Sequence, residues 1–202
     1  MLRREVLPAL ILTALAAVFL GLVYPMVIYG IGQVTFGSRA NGSFITHNKQ
    51  VVGSSLIGQS FTDAKGNPLP QYFQSRPSAA GTSGYDAMSS GASNLGPGDP
   101  RLLQSVAQRV AAYRKLNGLP ASVALPVDAV TASASGLDPD ISVANADLQA
   151  SRVARVRGLP LAEVMAAIKA HTAPRTLGFL GERVVNVLEL NLALDALRPQ
   201  GQ

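Results

Sequence analysis

The sequence predicts an α+β protein: one N-terminal transmembrane helix followed by a compact, loop-rich α+β extracytoplasmic domain. Three observations carry this. An almost wholly apolar stretch occupies 9–31. Residues 37–98 are rich in Gly, Ser, Asn and Pro and hold only short extended runs. From residue 99 onward, capped helical periodicities alternate with proline-bounded connectors. The expected organisation is a cytoplasmic N-terminus at 1–8, a membrane helix at 9–31 and an extracytoplasmic domain at 32–202.

No charged residue lies between Glu5 and Arg39. A helix over 9–31 would run roughly 34 Å, enough to cross a hydrocarbon core about 30 Å thick. Pro8 suits a first helical turn. Tyr24 and Tyr29 suit an interfacial belt, and Pro25 predicts a kink or an exit from the bilayer. A cleaved signal peptide ending near Ser38-Arg39-Ala40 is the competing reading, but its apolar region would be far too long. Arg3 and Arg4 crowd one flank and orient the domain outward. Thr13, Ala17 and Gly21 recur at i, i+4, i+8 and form a stripe of small side chains on which another helix can pack.

In the loop-rich layer, strands are expected at 43–46, 50–52 and 71–74. Phe44, Ile57, Phe61, Tyr72, Phe73 and Tyr85 are anchors that argue for order. A helix follows, with Asp99 as N-cap, Pro100 at its first position and Gly118 as its stop. Residues 127–131 read as a strand. Ser142 caps a second helix over 143–157, closed by Gly158. A third begins at Pro160 with the stripe Leu161, Val164, Met165 and Ile168. In 187–197 the leucines alternate as in a strand, yet Asn186 and Glu189 form a capping-box pattern that favours a helix.

Charged residues make up only 14% of the chain, against roughly 25% in ordinary domains, so part of the surface is expected to be covered by partners. The net charge is +5, of which Arg3, Arg4 and Glu5 account for one unit. No basic run interleaved with aromatics points to nucleic acid. With no cysteine, disulfides, thiolate nucleophiles and Cys-based metal sites are excluded.

No catalytic set can be assembled. His47 and His171 stand far apart and in no metal-binding spacing. The loop 91–98 is glycine-rich but lacks the lysine of a phosphate-binding loop. With 133–140 it supplies the weak nucleotide-loop candidates Gly91, Ser93, Asn94, Gly96, Ser135, Gly136 and Asp138. Asp128, Asp138 and Asp140 lie close together, but a short acidic cluster is not a metal site. Arg152, Arg155 and Arg157 cannot share one helix face; a solvated surface is the expected role, with an acidic partner for Arg152 or Arg155 as the alternative. The bottom-up reading is a membrane-anchored protein that is not an enzyme and has no metal.

Longer blocks carry a resemblance. Tyr72-Phe73-Gln74-Ser75-Arg76-Pro77-Ser78, Ser90-Gly91-Ala92-Ser93-Asn94-Leu95-Gly96-Pro97, and Val130-Thr131-Ala132-Ser133-Ala134-Ser135-Gly136-Leu137-Asp138-Pro139 resemble the C subunit of the bacterial potassium-transporting Kdp ATPase. So do His171-Thr172, Leu177-Gly178-Phe179-Leu180-Gly181-Glu182, Val185-Asn186-Val187-Leu188 and Leu190-Asn191-Leu192-Ala193-Leu194-Asp195. Ala92, Ala134 and Asp140 depart from the pattern, at positions of small size or on the surface. The resemblance implies an accessory subunit in the bacterial inner membrane. Its partners would be a channel-like potassium-translocating subunit, a P-type ATPase subunit and a small single-span subunit. The family is described as a catalytic chaperone that raises ATP affinity through a ternary complex with nucleotide. An outward-facing domain could not hold cytoplasmic ATP itself. The alternative is a membrane-anchored periplasmic binding protein or enzyme acting alone.

Overall fold

The computed structural model describes residues 2–47 and 49–197, and the chain divides into two units, Met1–Phe44 and Ile45–Gln202. The first is helical: α1 (Leu2–Val18), a π-helical turn (Phe19–Val23) and α2 (Tyr24–Ala40). The stretch Arg4–Ala40 is long and apolar enough to cross a membrane. At 1.5 Å per residue it spans about 55 Å, well beyond 9–31. The π turn explains why Pro25 does not end the helix. Proline offers no N–H to the carbonyl four residues back and its ring crowds that carbonyl. The widened turn just before it takes up the mismatch. The helix instead breaks at Phe36 (φ −134°, ψ 33°) and is capped by Asn41, whose amide donates to Gly37 O at 2.7 Å and to Gln33 Oε1 at 2.9 Å.

In the second unit the helices follow their local signals. In α3 (Pro100–Asn117), Asp99 accepts from Arg101 N and Gly118 adopts the left-handed stop. In α4 (Val143–Arg157), Ser142 Oγ accepts from Asn145 N at 3.1 Å and Gly158 ends the helix in the same way. The helix α5 is Leu161–Ala170, and α6 is Val187–Leu197 with Asn186 Oδ1 accepting from Glu189 N at 3.1 Å. On α5 only Val164 and Ile168 of the expected stripe are buried; Leu161 and Met165 remain exposed.

The strands β1 (Phe44–His47) and β2 (Gln50–Ser54) pair with one another. A second, antiparallel sheet was not legible: β3 (Asp140–Ser142), β4 (Thr172–Ala173) and β5 (Val184–Asn186), in the order β3-β5-β4. Ile141 lies opposite Val185 in its register, and both are buried. The core joins this sheet to α4, α5 and α6 through Ile141, Val153, Val164, Val185, Leu190 and Leu194, with Phe73 from the loop layer fully enclosed. A smaller cluster joins α3 to Ala129 and Val130.

Two expected strands are not strands. Residues 127–129 form a 3-10 turn, because Asp128 turns toward the start of α4. Residues 71–74 pair with side chains rather than with another strand, as described below. Phe44, expected as an anchor, is exposed, whereas Phe61 packs on the main core. Asp140, expected on the surface, is half-buried in β3.

Candidate functional site

The fold brings the two glycine-bearing loops side by side. Gly91 N donates to Ser135 O at 2.8 Å, and Ser90 Oγ donates to the same oxygen at 3.0 Å. Ser78 Oγ donates to Gly136 O at 2.6 Å. The approach needs glycine at 136: its φ is +69°, and a Cβ there would sit 2.6 Å from Gly91 O. Gly136 N donates to Ser133 Oγ at 2.9 Å and Leu137 N to Ser135 Oγ at 3.1 Å. The N–H groups of Gly91, Gly136 and Leu137 are therefore engaged within the loops, and the arrangement works as a cross-brace. Ser93, Asn94 and Gly96 lie apart from it, on the run into α3, where Gly96 O accepts from Asp99 N at 3.0 Å.

Asp138 pairs with Arg76 at 2.8 Å and also accepts from Asp140 N at 3.0 Å. Tyr85 donates to Arg76 O at 2.8 Å; burial, the leading cause, pushes its phenol up to about 12. Asp128 accepts from Ser142 N and Ser142 Oγ, both at 2.8 Å, and from Asn145 Nδ2 at 2.9 Å. Asp140 is raised above the usual carboxylate range by burial first, then by Asp138 and Glu189. A cavity of about 340 Å³ opens beside these groups, with Arg76 and Arg183 in its wall. All three aspartates thus hold protein partners, Asp140 through Asn186, and among the described residues no three His, Asp or Glu side chains converge so as to hold a metal ion. His171 caps α5, its Nδ1 3.0 Å from Ala167 O, and His47 is exposed on β1.

Of the α4 arginines, expected on a solvated surface, only Arg155 is exposed; Arg152 is buried and Arg157 partly so. Arg152, 1% exposed, meets no carboxylate. Its guanidinium donates to Asn117 Oδ1 (2.9 Å), Tyr72 O (2.9 Å), Gln149 Oε1 (2.8 Å) and Pro70 O. Burial lowers its pKa to about 10. Arg157 is the one that finds an acid, Asp195 on α6 at 2.9 Å, while lying 4.9 Å over the Tyr72 ring and donating to Gln71 O. Asn191 completes the set: its Oδ1 accepts from Phe73 N at 2.9 Å and its Nδ2 donates to Phe73 O at 3.0 Å. Side chains of α4 and α6 thereby hold residues 70–74, which turn at Tyr72 through its N–H to Leu69 O at 3.2 Å and belong to no strand. Asn145, Gln149 and Asn191 were not singled out from sequence. Their signal was an amide side chain set within an otherwise apolar helix stripe.

On the membrane helix, Thr13 and Ala17 lie in α1 and Gly21 in the π turn. All three are exposed, and a Cβ added at Gly21 would meet nothing within 4 Å. A π turn advances less per residue than an α turn, which offsets part of the drift of an i, i+4 stripe.

One long apolar helix joined to an internally braced α+β unit defines a single-pass membrane protein. The chain belongs to the KdpC family, the c chain of the K+-transporting ATPase, whose sequence model matches residues 6–196. Its relatives named potassium-transporting ATPase KdpC subunit include one from Mycobacterium tuberculosis (strain H37Rv), 55% identical over 97% of this chain and 100% of the relative. Another, from Gemmatimonas aurantiaca, is 52% identical over 94% and 92%. A third, from Koribacter versatilis, is 47% identical over 98% and 97%.

Proposed function

We propose that this chain is the non-catalytic accessory subunit of an ATP-driven potassium uptake pump of the bacterial inner membrane. The observation that carries this is the family match over residues 6–196, helix and domain together. The partners are a channel-like potassium-translocating subunit, a P-type ATPase subunit and a small single-span subunit. The N-terminus lies in the cytoplasm and the domain outside, in keeping with Arg3 and Arg4 on the inner flank.

ATP hydrolysis belongs to the ATPase subunit in this reading. The loops at 91–98 and 133–140 act as a brace. A rise in the pump's ATP affinity then reaches the nucleotide site by coupling through the assembled subunits, with the chain acting as a catalytic chaperone at a distance.

The test uses the absence of cysteine. Ser83→Cys is introduced and intact cells are treated with a membrane-impermeant thiol reagent, with lysed cells as control. Labelling in intact cells, together with co-purification of the pump subunits, supports the reading. Labelling only after lysis places the domain inside and replaces coupling at a distance with direct nucleotide contact. Full potassium uptake in cells lacking this chain would remove the accessory role.

A further inference from the structure

The hairpin loop joining β4 to β5 is exposed along its length, from 174 to 183. It is nevertheless closely ordered by its own backbone. Thr176 and Leu180 exchange both N–H···O bonds at 2.9 Å, Gly178 N donates to Arg175 O at 3.0 Å, and Phe179 N donates to Thr176 O at 3.3 Å. The central pair, Leu177 (φ +54°) and Gly178 (φ +83°), has the positive φ angles of a type I′ turn. Asn, Asp or Gly is the residue such a turn asks for at the first of these positions. A leucine there is strained, and it gains little burial among the described residues: Leu177 is 79% exposed, Phe179 69% and Leu180 49%. Three bulky apolar side chains, Leu177 and Phe179 most of all, are thus displayed on an ordered turn, at a conformational cost that the small burial of Leu177 does little to offset.

The rim identifies the occupant. Arg175 and Glu182 pair across the base of the turn at 2.6 Å, and Arg183 follows. Both signs of charge surround the apolar tip, as at the rim of a protein interface. An anionic lipid surface would favour a collar of positive charge alone, and fluid acyl chains require no fixed display of side chains. A shaped apolar pocket does, because preorganisation lowers the ordering cost of docking.

We infer that the 174–183 hairpin is a docking plug whose Leu177, Phe179 and Leu180 fill an apolar, charge-rimmed pocket on another protein subunit of the pump. This rests on the proposed function.

The test introduces Leu177→Cys and Phe179→Cys separately into the full chain, with Met88→Cys, on a separate and highly exposed loop residue, as control. Thiol labelling rates are compared for the chain alone and for the co-purified complex. The expected result is a slowing of at least tenfold at positions 177 and 179 in the complex and none at 88. Equal rates at 177 and 179 with and without partners overturn the inference. So does quenching of a bimane label at 179 by brominated lipid in nanodiscs holding the chain alone, which would make the partner the bilayer. Leu177→Asn separates docking from folding, since Asn suits positive φ. It should leave the melting temperature of the chain unchanged or higher while reducing subunit recovery in detergent at least fivefold. Unchanged recovery for this variant also overturns the inference. If the parent chain itself recovers no pump subunit, the proposed function fails, and the plug with it.

Discussion

Gln149 on α4 pairs with both backbone groups of Gln74: its Oε1 accepts from Gln74 N at 2.8 Å and its Nε2 donates to Gln74 O at 3.0 Å. A side-chain amide here takes the place of a neighbouring strand, 75 residues away in sequence. Gln149→Leu keeps the volume but leaves both backbone groups without their partner. Each buried orphan costs about 1–3 kcal/mol. The variant should melt several degrees below the parent by far-UV circular dichroism in detergent. A melting temperature equal to the parent's would show that the amide is dispensable.

Arg152 holds the same segment by geometry as much as by charge. Its planar fork serves four acceptors on three elements, and a lysine offers three donors from a single point. Arg152→Lys should therefore destabilise the domain by about 2–3 kcal/mol although the charge is kept. If Arg152→Lys melts with the parent while Arg152→Leu does not, the charge alone is what matters.

Much of the helical fold was legible because its signals are local. Asp99 with Pro100, Ser142 with Gly158, and Asn186 with Glu189 each sit within a few residues of the end they define. The strands β3, β4 and β5 hold two or three residues each and owe their existence to pairing across the chain. No periodicity survives in so short a run. Residues 71–74 read as a strand from their composition, but they begin in a turn, and Gln149, Arg152 and Asn191 supply the partners of the segment from 70 to 74. The contact between Gly91 and Ser135 was hidden for the same reason: each loop was visible, and their meeting was not. Arg157, rather than Arg152 or Arg155, meets the acid because Asp195 reaches it from α6.

Tyr85 gives the domain an alkaline limit. Its phenol is held neutral by burial, with a folded pKa of about 12 against an ordinary 10. Between these values the folded state binds more protons than the unfolded one, so stability falls as pH rises. The contribution is complete below pH 10 and is lost on the way to 12. Tyr85→Phe should lower the melting temperature modestly at pH 7, through the lost bond to Arg76 O. It should also flatten the decline between pH 10 and 11.5. An unchanged slope in melts taken across that range would contradict this assignment.

Asp140 acts in the opposite sense. Burial and the nearby Asp138 and Glu189 raise its pKa, so its carboxylate costs stability at neutral pH. That cost fades as pH falls and the proton returns. Asp140→Asn should raise the melting temperature at pH 7, keep the contact with Asn186 and leave the melt at pH 3 unchanged. A loss of stability at pH 7 would mean that the bond to Asn186 outweighs burial and the neighbouring carboxylates.

Gly21 tests the membrane helix. It lies in the π turn with open space where a side chain would begin, one helical step beyond Ala17 and two beyond Thr13. In lipid, helices associate by close approach over small residues rather than by expelling water. A leucine side chain at this point would hold a neighbouring helix away without disturbing α1 or α2, since beyond the adjacent backbone of its own helix no described atom lies within 4 Å of an added Cβ. Gly21→Leu should insert normally and retain the circular dichroism of the parent, yet recover less of the partner subunits after detergent extraction. Val27→Leu, on the exposed helix beyond the π turn, serves as the control for added bulk. Equal recovery from Gly21→Leu and Val27→Leu would show that the stripe does not face a partner.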